Sequence, residues 1–273
     1  MRGEFIDVGG VRLYYYAAGS RGAGEPILLL HGFPTSGHVW SGVVPLLPAG
    51  HRVVVLDHIG FGRSDPPGPA ELSIYAHAGR VIALMDTLGI REAALVGHHL
   101  GGAVAQSAAL HWPDRVTRLA LLDSIGFDVT VTGTLALLRA FLPLARLLPA
   151  RTLLRIVGSD LLHRYVDTER GRHSISQYLR PFESAGGRRL FLRHLAAFSE
   201  QETTDLGTEL GRLRLPASLM WGANDAFVPP SLARRLRAAL PHATLDIIED
   251  VRHFTPEEAP ERVAAVIGDL LHR

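Results

Sequence analysis

The 273-residue chain has no cysteine, which excludes disulfides, thiol redox chemistry and cysteine metal sites. It also lacks an excess of either charge. Its 28 basic residues, every one an arginine, face 27 acidic ones, so the net charge is +1, and no stretch gathers one sign strongly enough for a nucleic-acid groove. No apolar run reaches the ~18 residues that span a bilayer. The N-terminal MRGEFIDVGGVRLYYYAAG alternates like a hairpin and does not follow the charged-then-apolar order of a secretory leader. A soluble cytoplasmic protein is the expectation. Its partner would be a small-molecule substrate, with neither nucleic acid nor membrane, and a homodimer is left open.

The length suits one large α/β domain with an insertion better than two independent domains. Short apolar strands are predicted at Phe5 to Val8, Val11 to Ala17, Ile27 to Leu30, Val53 to Leu56, Ala93 to Val96 and Leu119 to Leu122. Helical stretches alternate with the later ones, the pattern of a mostly parallel sheet covered on both faces. From about Ile125 to Asp205 strand signals stop, and a leucine- and arginine-rich helical region takes over, broken by Pro143, Pro149, Pro181 and Gly186-Gly187. Strands return at Ala217 to Trp221 and Thr244 to Ile248, and a helix from about Pro256 to Leu271 ends the chain. The stretch LALLRAFLPLARLLPARTLL, residues 135 to 154, has the leucine–arginine alternation of a membrane-surface helix. The commoner use of such a face is burial, so its leucines are expected to pack on the main domain.

Four stretches carry chemistry: His31-Gly32-Phe33-Pro34, DHIGFGRS at 57 to 64, VGHHLGG at 96 to 102, and Trp221-Gly222-Ala223-Asn224-Asp225 followed later by His253-Phe254. In this order and spacing they resemble the α/β-hydrolase fold family over nearly the whole chain. The resemblance implies a mostly parallel twisted sheet flanked by helices, with a core at 1–124 and 206–273 and a helical cap at 125–205. It implies a strand-to-helix elbow in which small residues at Gly97 and Gly101 project residue 99 into the pocket mouth, with Gly102 easing the helix onto the sheet. It places the acid at Asp225, with Asp123 as second choice, the base at His253, and the oxyanion amides at Phe33 and Leu100. Trp40, Phe182 and Phe254 are the aromatic candidates for the pocket wall. His31 and His98 are expected to brace loops, Asp57 and Ser64 to stabilise their turn, and His58 to be packed or solvated. No cofactor is implied, and the spacing of His31, His58, His98 and His99 matches no metal motif.

The departure is His99, where the family carries serine or aspartate. HGFPTSGHVW, GFGRSDPP and QYLRPF at 177 to 182 resemble the branch that opens epoxides and carbon–halogen bonds. An alkyl-imidazole resists water, whereas an acyl-imidazole hydrolyses readily, so a nucleophilic His99 suits ester or lactone bonds of a small apolar molecule. Three alternatives stand beside it: His99 in place of the aspartate of an epoxide hydrolase or dehalogenase, a lyase or cyclase using His99 and His253 as an acid–base pair, and a non-catalytic ligand-binding member of the fold.

Overall fold

A computed structural model describes residues 3–19, 24–67, 72–128 and 132–273. Eight strands form one sheet: β1 (Glu4–Val8), β2 (Val11–Ala18), β3 (Ile27–Leu30), β4 (Val53–Leu56), β5 (Ala93–His98), β6 (Val116–Leu122), β7 (Ala217–Gly222) and β8 (Ala243–Ile248). Their spatial order is β1-β2-β4-β3-β5-β6-β7-β8. β1 and β2 pair antiparallel, as does β2 with β4, and every later pair is parallel. The all-apolar runs ILLL and VVVL are buried throughout, as strands covered on both faces must be. Their period of two sorts them cleanly. Leu28, Leu30, Val54, Leu56 and Leu95 join one apolar layer, and Ile27, Leu29, Val53, Val55 and Val96 join the other.

Helices α1 (Ile74–Thr87) and α2 (Leu100–His111) lie in the first half of the chain. Between β6 and β7 come α3 (Gly133–Ala140), α4 (Leu142–Ala145), α5 (Ala150–Leu162), α6 (Thr168–Leu179), α7 (Ala185–Ala197) and α8 (Glu200–Glu209). Helix α9 (Pro230–Ala239) follows β7, and α10 (Thr255–Glu258) and α11 (Pro260–Leu271) close the chain. The single terminal helix expected from Pro256 to Leu271 is thus two: Pro260 supplies no backbone N–H, and Ala259 leaves the helical region at φ −137°, ψ 52°. Among the described residues no helix is long and apolar enough to cross a membrane.

From β3 the chain moves to β4 on one side, and from β5 to β6 on the other, so the order reverses between β3 and β5. The chain leaving the carboxyl ends of these two neighbours carries His31-Gly32-Phe33 after β3 and His99 after β5, at the crevice where open α/β sheets place ligands.

Candidate active site

His99 stands between β5 and α2 with φ 51°, a left-handed conformation that a side chain adopts at a cost and that aims it off the strand end. Glycine is what lets this turn close. A Cβ on Gly97 would lie 2.3 Å from the Gly101 carbonyl oxygen, and one on Gly101 would lie 2.2 Å from the Leu30 carbonyl oxygen. Leu100 is the first residue of α2, and its N–H belongs to the first turn, which no carbonyl within the helix reaches.

The turn after β7 brings Asp225 to His253. The Nδ1–H of His253 donates to Asp225 Oδ2 at 2.8 Å, while Asp225 Oδ1 accepts the backbone N–H groups of Phe227 (2.8 Å) and Val228 (2.9 Å). With Nδ1 carrying the proton, Nε2 of neutral His253 is left bare, the state of a general base. Burial holds His253 well below the ordinary imidazole range, and the Arg164 charge adds to the effect. Burial pushes the Asp225 carboxyl up to about 7, against the pull of its two backbone donors.

His99 is buried, and its ring lies perpendicular to that of His253 with centroids 5.2 Å apart. Its opposite constraint is Phe227, stacked at 5.1 Å and 16°. The N–H of Phe33 donates to His99 Nδ1 at 3.3 Å. Nδ1 is therefore an acceptor, and neutral His99 carries its proton on Nε2. Burial, then the repulsion a charged His99 would meet from His253, His98 and Arg164, holds His99 well below the ordinary range. One of the two amides expected for an oxyanion thus already serves an imidazole.

The remaining motif residues have visible occupations. His31 Nδ1–H donates to the Gly32 carbonyl at 2.8 Å and its Nε2 accepts the His58 N–H at 3.0 Å, tying two loops together. His98 Nε2–H donates to the His253 carbonyl at 2.9 Å. Asp57 accepts the N–H groups of Gly37 and Arg63, and Ser64 donates to the Asp57 carbonyl. Asp123, the second-choice acid, accepts from Gly222 N–H and from the Thr255 hydroxyl and amide, and has no bond to His253 Nδ1. His98, Asp123 and His253 put three potential ligand atoms within 4.8 Å of one another. A metal ion there would have to strip His98 and Asp123 of the bonds just named, so the donor set fits a hydrogen-bonded strut better than a metal site.

A narrow cavity of about 60 Å³ opens beside His99. The sheet domain contributes Phe33, Leu100 and Phe227 to its wall, and the segment inserted between β6 and β7 contributes Ile125, Leu135, His194, Leu195 and Phe198. Among the described residues its wall does not include Trp40, Phe182 or Phe254, the three aromatics expected there. Trp40 is wholly buried in the apolar core, Phe254 stacks on Tyr165 at 4.1 Å, and Phe182 packs edge-on against Phe61 and Phe191. Their bulk fills the core, and the aromatic rings that face the cavity are Phe33, Phe198 and Phe227.

Sequence reasoning missed Phe227, Arg164, His77 and His194. Arg164, in the turn after α5, sits 3.5 Å from the centroid of Phe227, so a cation, a phenyl ring and the His99 imidazole form one stack. The only sequence signal was Phe227 two places after Asp225. Nothing in HRYVD at 163 to 167 marks its arginine.

Residues 25–260 match the model of the alpha/beta hydrolase fold. An uncharacterised hydrolase of Bacillus subtilis (strain 168) is 30% identical over 97% of this chain and 96% of its own. A cis-3-alkyl-4-alkyloxetan-2-one decarboxylase of Shewanella oneidensis is 27% identical over 98% of this chain and 87% of its own. Among solved structures, that of wild-type Cfl2 from Burkholderia cenocepacia superposes with a TM-score of 0.83, at 29% identity, over 98% of this chain and 95% of that one.

Proposed function

The chain belongs to the α/β-hydrolase fold family, and from that premise we propose that it hydrolyses an ester or lactone bond of a small, largely apolar molecule without a covalent intermediate on His99. The observation that carries this is the Phe33 N–H bond to His99 Nδ1. It occupies the lone pair a nucleophilic imidazole would use and leaves an Nε2–H, a donor. A donor beside the Leu100 amide suits a developing oxyanion.

The reaction runs with His253 Nε2 taking a proton from water while the water oxygen bonds to the acyl carbon. The carbonyl oxygen becomes an anion held by the Leu100 N–H and the His99 Nε2–H. The acyl carbon–oxygen bond then breaks, and His253 returns the proton to the departing oxygen. Asp225 fixes the base in the tautomer this needs. The mostly apolar cavity wall favours alkyl substituents, and the Shewanella relative, named for a dialkyl four-membered lactone, supports that substrate class. The helices between β6 and β7 act as a cap that selects the substrate.

The test compares His99→Gln with His99→Ala on a panel of alkyl β-lactones and short-chain p-nitrophenyl esters. Glutamine keeps an N–H donor near the Nε2 position but is no nucleophile. Its kcat should stay about tenfold or more above that of the alanine variant, since one oxyanion donor carries a factor of ~100 or more. Equal collapse of both variants would contradict the donor role and point to an attacking imidazole.

A further inference from the structure

We propose that the outer ridge of α3 and α4 docks this protein on anionic lipid surfaces. The two helices turn Leu135, Leu138 and Ala145 inward, as an amphipathic face should, but the outer side is not polar. Leu137 is 64% exposed, Phe141 56%, Leu144 63% and Leu147 77%, all within eleven residues. Leu137, Phe141 and Leu144, together with Leu138, Leu148 and Ile156, border one apolar groove. Solvent alone does not favour such a cluster, because contiguous apolar patches on soluble surfaces mark contacts with something else.

Charge decides what that something is. From residue 129 to 159 there is no aspartate or glutamate, while Arg139, Arg146, Arg151 and Arg155 all fall inside the stretch. Arg139 is paired with Glu200 at 3.2 Å. Arg146, Arg151 and Arg155 are exposed, and among the described residues none has an ion-pair partner. Arg146 adjoins Leu147 in the chain, and Arg155 adjoins Ile156 of the groove. A second copy meeting this ridge about a two-fold axis would set Arg146, Arg151 and Arg155 against their own counterparts, with acid only at the margins, at Glu183 and at Glu200, which Arg139 already engages. An anionic leaflet supplies both complements at once: acyl chains for the leucines and phosphates for guanidinium groups held at the headgroup level. Docking needs no reaction at His99. It does put the membrane against the outer face of α3, whose Leu135 lines the active cavity from the inner face.

The experiment is co-sedimentation of the full chain with vesicles of phosphatidylcholine alone and of phosphatidylcholine with about a third phosphatidylglycerol, beside analytical ultracentrifugation without lipid. Binding is expected to the anionic vesicles, weaker to the neutral ones, and reduced by half-molar salt. Leu144→Glu with Leu147→Glu should abolish it. Arg146→Gln and Arg155→Gln should each weaken it about fivefold, the scale of one basic residue at an anionic leaflet. These side chains are exposed, so an unchanged melting temperature confirms that the variants are folded. Failure to bind anionic vesicles, or equal binding by the glutamate variant, overturns the proposal. So does a lipid-free dimer that the glutamate pair dissociates, since a second copy would then cover the ridge.

Discussion

At the scale of single residues, each histidine of the site is told apart by the partner of one nitrogen. His253 gives its Nδ1–H to Asp225 and keeps a bare Nε2, whereas His99 accepts at Nδ1 and keeps an Nε2–H. His253→Ala should lower kcat by about two orders of magnitude or more, the scale of a positioned general base. An undiminished rate would remove His253 from the chemistry. Asp225→Asn should lower kcat with KM nearly unchanged, because an amide can turn its NH₂ toward Nδ1 and invert the tautomer. A rise in KM alone would assign Asp225 to binding instead. The motif spacing made this pair legible, since each member sits a fixed distance after a strand. The occupation of the Phe33 amide was not legible, because a ring orientation depends on what packs against it, here Phe227 and Arg164.

At the scale of elements, the strands could be read from runs such as ILLL and VVVL because burial on both faces leaves no other pattern. The pocket wall could not be read. An aromatic residue in a loop or short helix carries no period, so Trp40, Phe182 and Phe254 gave no sign that they face the core. The expected burial of the leucines from 135 to 154 holds for Leu135, Leu138, Leu153 and Leu154 but not for Leu137, Leu144 and Leu147, which are exposed along with Phe141, because the breaks at Pro143 and Pro149 turn the chain between short helices. Selection by the inserted helices should therefore be tested at residues that reach the cavity. Leu195→Ala should shift the preferred alkyl length upward while leaving the melting temperature within a few degrees, and a uniform loss toward all chain lengths would argue for a structural role. A second contact ties the inserted helices to the core, where the Tyr178 hydroxyl donates to the buried carboxylate of Glu257 on α10. Glu257→Ala leaves that hydroxyl without its acceptor, and denaturant unfolding should show a loss of about 1–3 kcal/mol. A change near zero would show that the link between α6 and α10 does not hold the segment down.

At the scale of the whole molecule, the chain has buried an unusual number of imidazoles. Burial lowers His98 and His194 to about 3 and holds His31, His58, His77, His99 and His253 well below the usual range. Unfolded, each binds its proton near pH ~6.5. The folded state therefore binds fewer protons at mildly acidic pH, and the stability these seven contribute is complete above about 6.5 and lost as the pH falls. Burial acts in the opposite sense on Asp57, raised to about 6, on Asp225 and Glu257, raised to about 7, and on Asp123, raised well above its usual range. Those carboxyls favour the fold in acid and give up that contribution as the pH rises toward 7. Burial also lowers the half-buried His38 and raises Glu25 and Glu258, so eight imidazoles stand against six carboxyls and the first effect is the larger. The melting temperature should rise between pH 5 and 6.5 and flatten above it, and a maximum at pH 5 would reverse the assignment.

The tautomer of His99 tests the central claim most directly. In uniformly ¹⁵N-labelled protein, long-range proton–nitrogen correlation separates protonated from bare imidazole nitrogens, and loss of the signals in His99→Gln assigns them. At pH 7 His99 should show a protonated Nε2 and a bare Nδ1, with His253 showing the reverse. A bare Nε2 on His99, or a ring protonated at both nitrogens, would contradict the donor role and with it the water-attack mechanism.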